Sequence, residues 1–235
     1  MILRAAEQPY DGAALLDFLV RRMVPGVETY VDGVYRRSLP DGDVVELRPH
    51  RDGFDASHDV SGLLDLDAPA AEIAARIDLP GYDAGTRVPG CVDGDEIAVR
   101  AVLGQQISIQ AAATHAGRLV AAVGEPLERP VGAVTHRFPT LEAIAGAPDS
   151  AFAMPATRRD TLRSLAGQPL DRLIDLRGIG PWTQTYIDMR AFGDRDAWLP
   201  TDIGVRHGLA RLDGADPERW KPFRAYAVVS LWASS

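Results

Sequence analysis

Two glycines bracketing one apolar residue, Gly178-Ile179-Gly180, run directly into Pro181. This stretch constrains the fold more than any other in the chain. The glycines let the backbone turn where side chains would collide. Pro181 suits the first position of a helix, where its missing N–H costs nothing. The backbone amides of the turn, at Gly178, Gly180, Trp182 and Thr183, then face outward at the positive end of a helix dipole, a seat for one phosphate. That helix is expected to reach Phe192 and stop at Gly193, with Trp182, Tyr186 and Met189 on one face. Upstream, Leu170, Leu173, Ile174 and Leu176 are interspersed with charged residues in an amphipathic-helix pattern. A dinucleotide-binding loop would need a strand there. The element therefore reads as helix–hairpin–helix, although a plain helix connection fits the turn residues taken alone.

Asp202 follows Leu199-Pro200-Thr201 and opens a further helix toward Leu212. At such a position an aspartate is more often an N-cap than a catalyst. Trp182, Tyr186 and Trp232 offer π-faces, with core packing as the ordinary alternative. Phe18 is likewise read first as a core residue. The five histidines lack metal-ligand spacing, and the single cysteine, Cys91, rules out an internal disulfide or a four-cysteine iron–sulfur cluster.

Ahead of this region, Asp11 to Met23 has helical spacing. Three strand-like runs follow, Val27–Val31, Val34–Leu39 and Val44–Arg48, joined by Asp32-Gly33 and Pro40-Asp41-Gly42. From Ala68 onward the β signals stop. Helices are expected over Ala70–Ile77, Asp95–Leu103, Ile109–Val123 with Ser108 as its cap, Pro139–Ala145 and Ala151–Leu165. Gly104-Gln105-Gln106-Ile107 forms a tight turn with two outward amides.

Leu176-Arg-Gly-Ile-Gly-Pro-Trp-Thr183 and Trp198-Leu-Pro-Thr-Asp202 together resemble the helix-hairpin-helix DNA glycosylases, and most closely the 3-methyladenine DNA glycosylase II (AlkA) branch. Arg87–Asp93, Ala98–Gln106 and Arg219–Ala227 carry the same likeness, which covers nearly the whole chain. The resemblance implies a mainly α fold of two helical domains with an N-terminal α+β domain bearing a small antiparallel sheet. Its partition is residues 1–67, then 95–194 with the hairpin, then 68–94 plus 195–235. It implies Asp202 as the essential carboxylate, Trp182, Tyr186 and Trp232 around the extruded base, and Gln106 as the wedge that fills the vacated stack. It also implies a Na⁺ or K⁺ ion on the carbonyls of Ile174, Leu176 and Ile179. Two loops, near Asp78–Thr86 and Ser164–Asp171, are shorter than the family pattern.

The implied activity is a monofunctional enzyme that frees alkylated purines from duplex DNA and leaves an abasic site, with no required cofactor. Such bases are cationic and leave readily, so one carboxylate facing the sugar suffices. Strand nicking needs an amine for a Schiff base, and in this superfamily a lysine stands where Trp182 is. Lys221 is the only lysine here. A net charge of −8 runs against nucleic-acid binding, so modest affinity with a shallow salt dependence is expected. No apolar run is long enough to span a membrane, and the N-terminus lacks a signal-peptide core, so a cytoplasmic, DNA-associated monomer is expected. Two alternatives stand beside this reading. One is a DNA-binding module without catalysis, and the other a glycosylase for deaminated or oxidised bases.

Overall fold

The computed structural model describes residues 1–234. It opens with β1 (Ile2–Arg4) and α1 (Gly12–Val20), followed by β2 (Glu28–Val31), β3 (Val34–Ser38), β4 (Val44–His50) and β5 (Gly53–Ala56). The Asp11 carboxylate caps α1 by accepting the Ala14 N–H at 2.9 Å. The helix buries Leu15, Leu16 and Leu19 against the sheet, whose antiparallel order is β1-β5-β4-β3-β2. Asp32 and Gly33 both take positive φ, 52° and 74°, as a two-residue hairpin turn requires. The three strands read from the sequence are present. The outer pair, β1 and β5, spans three and four residues, too few to show alternation.

The rest of the chain is mainly helical. It comprises α2 (Ser61–Leu64), α3 (Ala70–Arg76), α4 (Gly94–Leu103), α5 (Ile109–Val123), β6 (Pro126–Val131), β7 (Val134–His136), α6 (Leu141–Ala145), α7 (Ala156–Arg163), α8 (Pro181–Ala191), α9 (Ile203–Leu209) and α10 (Arg224–Ala233). The β6–β7 hairpin corrects the expectation that β structure ends at Ala68. Pro126, Pro130 and mostly exposed side chains hide β6 from a search for alternation. The hairpin is anchored on the N-terminal unit: Ser38 Oγ donates to the His136 carbonyl at 2.8 Å, and the Thr135 amide donates to the Gly26 carbonyl at 2.8 Å.

Two helical expectations also need correction. α7 begins at Ala156, not Ala151, because Pro155 takes the N-cap position and the preceding residues form a separate 3-10 turn at Asp149–Ala151. The segment before the hairpin is a 3-10 turn, Leu170–Asp175, broken by non-helical Arg172. Gln184 supplies what the missing helix would have: its Oε1 accepts the Ile174 N–H and its Nε2 donates to the Leu170 carbonyl, both at 2.9 Å.

Buried side chains of the described residues fall into three clusters. One lies between α1 and the sheet around Tyr35, Leu47 and Phe54. Another joins α4, α5 and α8 through Val102, Leu119 and Ile187. A third gathers Ile73, Leu199, Trp220 and Tyr226, so the chain just after the sheet packs with the C-terminal helices. Val24 and Val27, from the connection between α1 and β2, join the second cluster.

Asp65 sits at the junction, in the left-handed conformation with φ 49° after α2. Its carboxylate accepts the Val88 N–H at 2.9 Å and faces the Tyr226 hydroxyl at 3.4 Å. Burial pushes its carboxyl up to about 6, against the opposing pull of the Val88 N–H, Tyr226, Arg87 and Arg195. The folded state therefore holds this proton more tightly than the unfolded chain, and the associated stability is complete below about pH 4 and lost as pH rises through about 6. Asp65→Asn, which tolerates the left-handed backbone, is expected to remove that loss. Its melting temperature should exceed wild type at neutral pH by the equivalent of about 1 kcal/mol, and the advantage should vanish in acid.

Candidate active site

Gly178, at φ +91°, makes the hairpin turn. A Cβ there would lie 2.3 Å from Thr161 Oγ1, so both the conformation and the close approach demand glycine. α8 starts at Pro181 as the sequence indicates. One proposed seat amide is not available: the Thr183 N–H folds back onto the Gly180 carbonyl at 3.0 Å, the usual fate of an N3 amide when the N-cap carbonyl lies beneath it. No backbone bond from the Gly178, Gly180 or Trp182 amides is formed among the described residues, which leaves those three to face the groove. Thr183 enters through its hydroxyl instead, accepting from Gln105 Nε2 at 2.9 Å.

Asp202 caps α9, and the cap and catalytic readings prove compatible. Its Oδ1 accepts the Val205 N–H at 3.0 Å and the Trp232 indole N–H at 2.8 Å, while Oδ2 accepts the Trp182 indole N–H at 3.0 Å. Three donors from three elements fix the carboxylate, yet the residue stays partly exposed and borders a cavity of about 460 Å³ together with Trp182, Tyr186 and Trp232. That volume falls within the range of small-molecule sites. The rings form one continuous wall: Trp182 stacks on Tyr186 at 5.3 Å, Tyr186 meets Trp232 at 6.3 Å, and Trp232 stacks on Phe18 at 6.1 Å. Phe18 packs against the N-terminal core and backs the cavity wall through Trp232. Met189 shares that helix face, with Trp182 and Tyr186 packed against the same C-terminal cluster, but it is fully buried and lies outside the cavity lining.

An adjoining groove runs from the cavity mouth past Gly104, Gln106, Gly178 and Gly180. Gln106 is exposed and held at φ +59°, uncommon for a residue with a side chain. Gln105, to which the sequence assigns no role beyond the turn, ties this turn to the hairpin. Its Nε2 donates to the Gly178 carbonyl at 3.0 Å as well as to Thr183, and its own carbonyl accepts from Arg158 at 2.8 Å. No local pattern in the sequence marks this role, because the partners of its side chain and carbonyl are distant in the chain.

Behind the rings lie arginines that the sequence reading missed. Arg190 donates to the Tyr186 hydroxyl at 2.7 Å. Burial pushes the Tyr186 phenol up, but the guanidiniums of Arg190, Arg22 and Arg100 outweigh it and leave the group below its ordinary value. Arg22 lines the cavity and packs its guanidinium 3.6 Å from the centre of the Phe18 ring. Burial, with Arg190 and Arg100 acting in the same direction and Tyr186 against it, lowers the Arg22 guanidinium to about 10. It stays charged at neutral pH. The i, i+4 spacing of Phe18 and Arg22 was the available signal.

The architecture is that of the helix-hairpin-helix DNA glycosylases. The 3-methyladenine DNA glycosylase of Archaeoglobus fulgidus superposes with a TM-score of 0.80 over 98% of this chain and 96% of its own, at 19% identity, a likeness of fold. Residues 3–53 match the AlkA N-terminal domain family. DNA-3-methyladenine glycosylase 2 of Escherichia coli K12 is 31% identical over 271 residues, covering 96% of this chain and 94% of that protein. The chain belongs to the AlkA family. A Mycobacterium tuberculosis protein described as a probable bifunctional transcriptional activator/DNA repair enzyme AlkA is 35% identical over 273 residues, and the chain spans 55% of its length, about half. Both alignments are longer than the 235-residue chain, so these relatives carry internal segments that it lacks, in keeping with its short loops.

Proposed function

We propose that this protein is a monofunctional DNA glycosylase that extrudes alkylated purines of the 3-methyladenine type from duplex DNA and hydrolyses the bond between base and deoxyribose. One observation carries the reading: a carboxylate fixed by two indole N–H groups at the edge of an aromatic-walled cavity. Departure of the base leaves positive charge on the sugar, and a preorganised anion stabilises that state without reorganising during the reaction. The flipped base stacks against the wall formed by Trp182, Tyr186 and Trp232, while Gln106 enters the duplex at the vacated position.

The DNA strand is held mainly by backbone. A phosphate sits on the amides of Gly178, Gly180 and Trp182, with the Thr183 hydroxyl close by. Arg177 and Arg206 are exposed, form no ion pair among the described residues, and adjoin the hairpin and α9, so local cations serve the DNA despite the acidic whole. A Na⁺ or K⁺ ion on the carbonyls of Ile174, Leu176 and Ile179 fits this turn: the Leu176 carbonyl accepts the Ile179 N–H at 3.1 Å and keeps a second lone pair. The ion would lend positive charge beside the phosphate. The absence of lyase chemistry is supported by Lys221, whose Nζ pairs with Glu218 on the outside of the C-terminal unit, and by Trp182 at the position where nicking relatives carry lysine. No helix among the described residues is long and apolar enough to cross a membrane. The protein is proposed to act in the cytoplasm as a monomer.

The test is the profile of bases released from methylated duplex DNA, read by chromatography, with strand integrity followed on a gel. Alkylated purines with intact strands are the expected products. Release confined to deaminated or oxidised bases, or no release, would overturn the assignment, and nicked strands would overturn its monofunctional part.

A further inference from the structure

Gln105 and Gln106 are neighbours in the chain with opposite surroundings. Gln106 is exposed on the groove at φ +59°, while Gln105 is half-buried and its side chain is committed. Both N–H groups of its terminal amide are in use, one on the Gly178 carbonyl at 3.0 Å and one on the Thr183 hydroxyl at 2.9 Å. Those two acceptors bracket the proposed phosphate seat, since Gly178 makes the hairpin turn and Thr183 lies in the first turn of α8. From the other side, Arg158 of α7 donates to the Gln105 main-chain carbonyl at 2.8 Å. The same helix reaches the hairpin, where the Thr161 hydroxyl meets the Arg177 carbonyl at 3.1 Å. Wedge turn, hairpin and α7 are thereby joined pairwise, with Gln105 at the corner that carries the wedge.

A residue with a side chain keeps a positive φ only where its surroundings hold it there. For Gln106 that hold comes through its neighbour, tied to the hairpin by its side chain and to α7 by its carbonyl. Extruding a base from a duplex asks for two actions at a fixed separation. One group must fill the stack as the base leaves, and another must keep its grip on the strand. A glutamine amide suits this demand, because one nitrogen fixes two acceptors at once and the side chain spans from one action to the other. Loosened from the hairpin, the wedge would need to be placed afresh in each encounter, and that ordering would be charged against extrusion.

Resting on the glycosylase reading above, we infer that Gln105 is a positioning residue for base extrusion, one that sets the distance between the Gln106 wedge and the phosphate seat. Gln105 acts through its neighbours and touches neither the base nor the bond that breaks. It lowers the cost of leaving the duplex and leaves the chemical step to Asp202. Its contribution is therefore largest where base pairing resists extrusion.

The experiment follows single-turnover release of one alkylated purine from two duplexes. The lesion stands opposite thymine in the first and opposite an abasic position, where no pairing opposes it, in the second. Gln105→Leu removes both donors at similar volume and leaves the main-chain carbonyl to Arg158. Release from the paired duplex should fall on the order of ten- to a hundredfold, what two neutral hydrogen bonds are together worth, and release from the unpaired one by clearly less. Gln105→His, which offers one ring N–H at similar reach, should recover part of the paired rate and serves as the second variant if Gln105→Leu melts early. Equal losses on the two duplexes, as a merely structural role would give, overturn the inference and leave the glycosylase reading standing. An unchanged paired rate does the same. Release from neither duplex by the wild type overturns both.

Discussion

Asp202→Asn is expected to lose base release on the order of a hundred- to a thousandfold while the protein stays folded. On the proposed function the two consequences separate, because helix capping uses Oδ1 alone while the catalytic role needs the negative charge. Asparagine caps helices about as well as aspartate, so the bonds from the Val205 amide and the Trp232 indole to Oδ1 persist. The new amide nitrogen replaces Oδ2 and confronts the Trp182 indole N–H, donor against donor, where a 3.0 Å hydrogen bond had been. That conflict should cost about 1 kcal/mol of stability. Adding Trp182→Phe removes the opposing N–H and should return the melting temperature toward wild type without restoring release. Melting curves and single-turnover rates on the same three proteins check this. Recovery of activity in the double variant would show that indole placement, not negative charge, limits the reaction. Full activity in Asp202→Asn would remove the catalytic role altogether.

The parts of the site that were legible in the sequence are those where local backbone chemistry leaves its own mark. Gly178 and Pro181 announce the turn and the helix start, and the caps Ser108 and Asp202 each accept the amide three residues on. Trp182 and Tyr186 stand four apart and stack. What stayed hidden depends on partners far along the chain. Gln105 acts on residues more than seventy positions away, and Arg22, with Val24, comes from the N-terminal unit to line a cavity that Trp182 and Trp232 close from the other side. The helix misread over Leu170–Leu176 shows the same limit. Its apolar spacing suited a helix, but the Gln184 side chain satisfies that backbone in a tighter form. The short strands β1, β5 and β7 escaped notice because three or four residues cannot display a period.

The largest effect on stability is expected from Glu96, which joins the N-terminal sheet to the helical unit beneath the cavity. Its carboxylate takes Arg37 at 2.6 Å from β3 and Arg100 at 2.8 Å from its own helix, and Glu28 faces both arginines from the end of β2. Two acids and two bases balance, and Tyr35 donates to Glu28 at 2.6 Å. Burial alone would raise the Glu96 carboxyl, and Arg37 and Arg100 more than offset this, holding it below its ordinary value. This group therefore contributes stability that is present above its unfolded value and is lost as pH falls through the lower folded one. Glu96→Met leaves two buried guanidiniums sharing Glu28, an uncompensated charge, and should cost about 3 to 5 kcal/mol. Removing a base along with the acid, in Arg37→Met with Glu96→Met, restores neutrality in a pocket of similar volume and should recover much of that loss. Denaturant midpoints of the single and double variants decide the matter. If the double variant is the sum of its singles, the four groups act independently and the lock between sheet and helices lies elsewhere. If it is far more stable than that sum, charge balance at this junction is what the fold requires, and the floor of the cavity, where Arg100 also holds the Arg22 carbonyl, inherits its rigidity from it.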